Sequence, residues 1–245
     1  AHTKPTIITS ATLADATRLH QAGNLTEAAK LYQALINRNS ADHTLLARAK
    51  SLLGTVYLQQ NQFTDAEKLL KESLSGNPLD ASTHNNLGVT YKQLGNKEAA
   101  FQHLREAVNL DPNYVDALNN YGAALLEKRE MQEAISHLSR AITLKPDFAD
   151  SHYNLGRAYQ SLKRFDEAEA CFKRALAINP HFTSALSNSG LLRLLRGEFE
   201  QGWRLYEYRW LDEQAKKHVV KFNQPLWLGE ADLSGKTIFL YAEQG

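Results

Sequence analysis

Four asparagines stand 34 residues apart: Asn86, Asn120, Asn154 and Asn188. A primary amide carries an acceptor oxygen and two N–H donors on one planar group. Such a group can face the C=O and N–H of an extended peptide backbone, and a row of them reads a chain whatever its side chains. Asp116 and Asp150 each precede a ladder asparagine by four residues, and Arg157 follows Asn154 by three. Those spacings put all three on the same helical face as the ladder. Inside a helix, Asn costs up to about 0.7 kcal/mol against Ala. Each of the four lies past the cap of its predicted helix, so capping does not explain them. The competing expectation is that the amides bond between neighbouring repeats and only hold the stack together. Peptide binding is the main expectation. The adjacent asparagines, Asn85 and Asn119, give way to Tyr153 and Ser187 further on, and are expected to be solvated or packing residues.

Other chemistry-bearing side chains recur along the chain. His103, His137 and Cys171 recur at one register, like rungs of a metal site. Neighbouring helices pack about 8–10 Å apart, while zinc ligands must converge within about 2.3 Å of one ion. The expectation is a packed helix face and no metal. His84 and His152 stand two repeats apart and are discounted with them. Cys171, beside Phe172, is expected to be a semi-buried thiol. No P-loop, GxSxG or HExxH motif is present, so the chain is expected to be no enzyme and to need no cofactor.

The elements that must carry these residues follow from a strict period. Gly54, Gly88, Gly122, Gly156 and Gly190 repeat every 34 residues, as do Pro78, Pro112, Pro146 and Pro180, and Ala66, Ala100, Ala134 and Ala168. Tyr57, Tyr91 and Tyr159 follow their glycines by three, with Leu125 in the remaining unit. This pattern resembles the tetratricopeptide repeat, two helices per unit with L-G-x2-Y, A-x3-F and a closing proline. The resemblance spans roughly residues 10 to 212. It implies an all-α, right-handed superhelix with the first helix of each unit on the concave face. Predicted units are 9–42, 47–80, 81–114, 115–148, 149–182 and 183–212. Glycine and alanine are expected to let paired helices approach, with Leu104, Leu138 and Phe172 filling the gap between neighbouring units. Ala28 and Ala66 are 38 apart, and the four extra residues are expected to form a longer loop in "NRNSADHT".

The asparagine ladder also resembles that of the repeat domain of O-linked N-acetylglucosamine transferase. That likeness implies an extended polypeptide held by Asn86, Asn120, Asn154 and Asn188, with Asp116, Asp150 and Arg157 lining the groove. A carboxylate clamp of the kind that grips chaperone C-termini is a weaker fit. It needs converging cations, and Lys92 and Arg157 lie two repeats apart.

Composition narrows the partners. Lys plus Arg total 28 against 27 Asp plus Glu in 245 residues. So even a balance argues against nucleic acid and anionic membrane. No apolar run approaches the roughly 20 residues of a membrane helix, no signal peptide is visible, and the lone cysteine excludes internal disulfides. A cytoplasmic protein binding proteins or peptides is expected. The chain begins with Ala rather than Met, as a processed or trimmed chain would.

The C-terminal end departs from the repeats. Arg193 and Gly202 replace the expected Tyr and Ala, and Trp203, Tyr206, Tyr208 and Trp210 crowd together, as a hydrophobic cap would. "KKHVVK" (216–221) is expected to be solvated linker. Residues 213–232 are predicted as linker and 233–245, with "KTIFLYA", as one strand of an α/β domain. "RGEFEQGWRLYEYRW" and "PLWLGEADLSGKTIFLYAEQG" resemble the junction between repeats and a bacterial glycosyltransferase-like domain. That resemblance implies a catalytic domain beyond Gly245 and an acceptor-recognising role for the repeats. A self-assembling scaffold is the third expectation.

Overall fold

The computed structural model describes residues 12–38 and 42–211. The predicted linker, the predicted strand and the basic "KKHVVK" cluster lie outside the described residues. The described residues form six antiparallel helix pairs. They are α1 (Leu13–Gln21) with α2 (Leu25–Asn37), α3 (His43–Gln59) with α4 (Phe63–Gly76), and α5 (Ala81–Gln93) with α6 (Lys97–Leu110). Then come α7 (Val115–Glu127) with α8 (Met131–Leu144), α9 (Ala149–Ser161) with α10 (Phe165–Ile178), and α11 (Thr183–Leu195) with α12 (Phe199–Tyr206). A 3-10 turn, Glu207–Leu211, closes the described chain.

Local signals start and stop these helices. Thr12 and Asp15 form a reciprocal capping box on α1, satisfying donors the helix leaves open. Asp42 caps α3 through Leu45 N–H, Asp80 caps α5 through Ser82 and Thr83, and Asn96 caps α6 through Ala99. The turn inside each pair needs one left-handed residue: Gly23, Asn61, Gly95, Arg129, Lys163 and Gly197 all have φ between 59° and 80°. Helices α4, α6, α8 and α10 end two residues before Pro78, Pro112, Pro146 and Pro180. The four residues expected as a longer loop before the second unit instead lengthen a helix. Helix α3 has 17 residues where α5 has 13, one extra turn at its start.

Glycine sets the distance within a pair. A Cβ on Gly88 would sit 2.7 Å from Leu104, and one on Gly122 2.7 Å from Leu138. On Gly156 it would meet the Phe172 ring at 2.5 Å. Leu104, Leu138 and Phe172 therefore close on the glycine of their own unit. Without a Cβ, the first helix offers a notch that the second helix fills; the same three side chains also join apolar clusters with the next unit, Leu104 with Leu118, Leu138 with Leu155 and Phe172 with Leu192. In the last pair Gly202 replaces alanine, and a Cβ on Gly190 would strike the Tyr206 backbone nitrogen at 2.4 Å. There the two backbones themselves touch.

Each pair then packs on the next, which makes a solenoid. Successive odd-numbered helices, α1 to α3, α3 to α5, α5 to α7 and α7 to α9, also pack directly on one another, while successive even-numbered ones have no comparable contact. The odd helices therefore crowd on the inside of the bend. Buried apolar residues among those described form four clusters, the largest from Phe101 to Ala158 across the middle units.

Candidate functional site

The inner, odd-numbered helices carry the ladder. Asn86, Asn120 and Asn188 are half-buried and Asn154 is 7% exposed. Each sends its Nδ2 to the preceding unit. Asn86 donates to Thr55 Oγ1 at 2.8 Å, and Asn120 to Asn85 Oδ1 at 2.9 Å. Asn154 donates to Asn119 Oδ1 at 3.0 Å, and Asn188 to the Tyr153 hydroxyl at 3.0 Å. One N–H of every ladder amide thus links two repeats, as the stacking alternative expects.

The oxygens have different surroundings. Asn86 Oδ1 accepts from Asn85 Nδ2 at 3.2 Å, and Asn154 Oδ1 accepts from Arg157 Nη1 at 3.3 Å. Asn120 and Asn188 Oδ1 have no protein partner among the described residues. Asp116 and Asp150 are exposed and form no ion pair there. Arg157 is half-buried, with its guanidinium 5.8 Å from the Tyr153 ring. The stripe Asp116, Asn120, Ala123, Glu127 runs down one face of α7 at helical spacing. Glu127 is tied to Lys92 of the preceding unit at 3.0 Å.

Asn85 and Asn119, expected to be solvated or packing residues, are the buried receivers of this system, at 4% and 7% exposure. Asn119 Oδ1 also accepts from the buried Ser151 hydroxyl at 3.2 Å. Two units earlier, Ser51 and Thr83 share a hydrogen bond of 2.6 Å at the same register. The signal available in the sequence was an offset of 35 residues: Asn85 with Asn120, Asn119 with Asn154, Tyr153 with Asn188. It shows only when each residue is compared with its successor in the next repeat.

The recurring histidines and cysteine do not converge. Among the described residues no three His, Cys, Asp or Glu side chains gather as metal ligands would. His103 instead meets His84, Nδ1 to Nδ1, at 3.0 Å, while His84 Nε2 bonds the Pro78 carbonyl at 3.1 Å. The carbonyl accepts from His84 Nε2–H, and of the two facing Nδ1 atoms one donates to the other. Burial first, then His84 and Lys71, hold His103 below the ordinary histidine range. His137 is lowered by burial against the Tyr121 edge. His152 repeats the His84 bond, reaching the Pro146 carbonyl at 2.9 Å. Burial pushes the Cys171 thiol up to about 11, which makes it a poor nucleophile.

Comparison with known proteins agrees with this architecture. Five tetratricopeptide-repeat profiles match, over residues 10–78, 51–115, 103–136, 126–163 and 149–182. Together they run without a break from 10 to 182, and this part of the chain belongs to the tetratricopeptide-repeat family. Proteins of that class are protein-interaction modules, and their fold is typically non-catalytic. Among solved structures, MamA is 28% identical, over 67% of this chain and 96% of that one, with a TM-score of 0.55. PilF of Pseudomonas aeruginosa is 25% identical over 72% and 78%, with a TM-score of 0.59. YrrB, described as a TPR protein with an unusual peptide-binding site, is 24% identical over 71% and 88%, with a TM-score of 0.55. At that identity the likeness to YrrB bears on the fold. No curated protein sequence matches the chain. No helix among the described residues is long and apolar enough to cross a membrane.

Proposed function

We propose that the inner face of α5, α7, α9 and α11 holds an extended segment of a partner protein. The observation that supports this most is the division of labour in the ladder. One N–H of each amide is spent on the neighbouring repeat, which fixes the side-chain rotamer before any ligand arrives. The acceptors of Asn120 and Asn188 are left over, and Asp116 and Asp150, one turn before Asn120 and Asn154, form no ion pair among the described residues. Preorganised groups lose little entropy on binding. The remaining hydrogen-bonding capacity is rich in acceptors, so it suits backbone N–H groups of an extended chain, with Arg157 offering a donor to a carbonyl or carboxylate.

Nuclear magnetic resonance tests the reading at the amides. Unstructured peptides are titrated into the 15N-labelled chain, and the side-chain NH2 signals of Asn86, Asn120, Asn154 and Asn188 are followed. Saturable shifts at Asn120 and Asn188, with smaller ones on α6, α8 and α10, are expected. Binding that shifts only the even-numbered helices would sink the proposal.

A further inference from the structure

The second helix of each unit presents one register to the unit that follows. Phe101, on α6, packs on Tyr121 of the next unit at 5.3 Å and beneath Lys128 Nζ at 3.8 Å. Ile135, on α8, is half-buried in the same apolar cluster as Leu155 and Ala158 of the next unit. Glu169, on α10, bonds Arg193 and Arg196 of the next unit. One period later this register is Trp203, which is 54% exposed. One turn earlier on α12, Phe199 is 62% exposed, although its counterparts Met131 and Phe165 are half-buried. Helix α12 therefore carries an apolar repeat-docking face with no repeat on it among the described residues. Leu211, 55% exposed, stands at the end of the adjoining 3-10 turn.

We propose that residues 222–245 of the same chain cover this face. Their sequence suits it, with LWL at 226–228 and IFLY at 238–241. They also lie within reach. From Leu211, fifteen extended residues would span about 50 Å, and a short tether gives an effective concentration in the millimolar range. Head-to-tail stacking of a second copy finds no matching apolar end. Among the described residues every strongly exposed large apolar side chain is Leu79 or later, and none lies on α1 or α2. Such a contact would also be open-ended and form filaments.

Hydrogen–deuterium exchange of the whole chain, with light scattering alongside, tests the assignment. The native chain is compared with Phe199→Lys/Trp203→Lys and with Ile238→Asp/Phe239→Asp. A monomer is expected in which 222–245 is protected. The helix variant should speed its exchange at least about tenfold, since burying such side chains supplies more than that factor. The tail variant should deprotect α12 in return, with α1 to α10 unchanged in both. Three results would overturn the proposal: no protection of 222–245 in the native chain, protection that survives both variants, or protection that appears only with concentration-dependent dimers.

Discussion

At the residue scale the inter-repeat amides have a definite energetic role. Asn119 is nearly buried and its Oδ1 accepts from both Asn154 and Ser151. Asn119→Ala strands two buried donors, whereas Asn154→Ala leaves Asn119 still bonded to Ser151. A stranded buried polar group costs about 1–3 kcal/mol, while an ordinary hydrogen bond is worth about 1 kcal/mol. Urea denaturation should therefore rank Asn119→Ala below Asn154→Ala in stability. The double variant should fall short of the sum by about 0.5 kcal/mol or more. A loss within about 0.5 kcal/mol for Asn119→Ala, typical of a surface site, would contradict the receiver role. Histidine gives a second test. Burial lowers both His103 and His137 in the folded state, so the unfolded chain takes up protons first as pH falls. The unfolded state then binds more protons, and stability rises with pH. The unfolding midpoint should be level above about pH 7 and fall as pH drops through about 6.5, the unperturbed histidine value. His103→Gln should flatten that fall; an unchanged slope would remove His103 from the explanation.

The turns between paired helices are the strained parts at the scale of elements. Gly95 and Gly197 occupy the left-handed position without cost, but Arg129 and Lys163 hold φ of 63° and 59° at the same register. An L-residue pays roughly 1–2 kcal/mol there, and glycine returns part of that through the greater freedom of its unfolded chain. Lys163→Gly should stabilise the chain by up to about 1 kcal/mol in urea denaturation, and destabilisation would contradict the strain. Much of this scale was legible in sequence. The 34-residue period placed helix pairs, glycine notches and proline stops. It did not place the extra turn of α3, because four inserted residues extend a helix as readily as a loop when no Pro or Gly interrupts them. Nor did it show that Leu104 and its counterparts close on their own unit's glycine, since a period fixes register and not direction. His84 matches His152 in register, but its partner in space is His103, nineteen residues on in the facing helix.

For the whole molecule, curvature turns a periodic sequence into a surface. The odd helices crowd together on the inside, so asparagines 34 residues apart become one row, and each row member is fixed by the unit before it. The same periodicity explains the open face of α12, a docking register carried into a unit with nothing described beyond it. The central claim, that the inner face holds an extended peptide, is tested most directly by blocking it without touching the ladder bonds. Ala123 lies on the Asp116–Asn120–Glu127 stripe of α7 and makes no side-chain hydrogen bond, while Ser136 is exposed on α8. Binding of fluorescent unstructured peptides would be measured by anisotropy for the native chain, Ala123→Arg and Ser136→Arg, with urea midpoints confirming equal folding. The expected result is that Ser136→Arg binds like the native chain and Ala123→Arg loses at least about tenfold, or about 1.4 kcal/mol. Equal binding by all three would place the partner surface outside the inner face and contradict the claim.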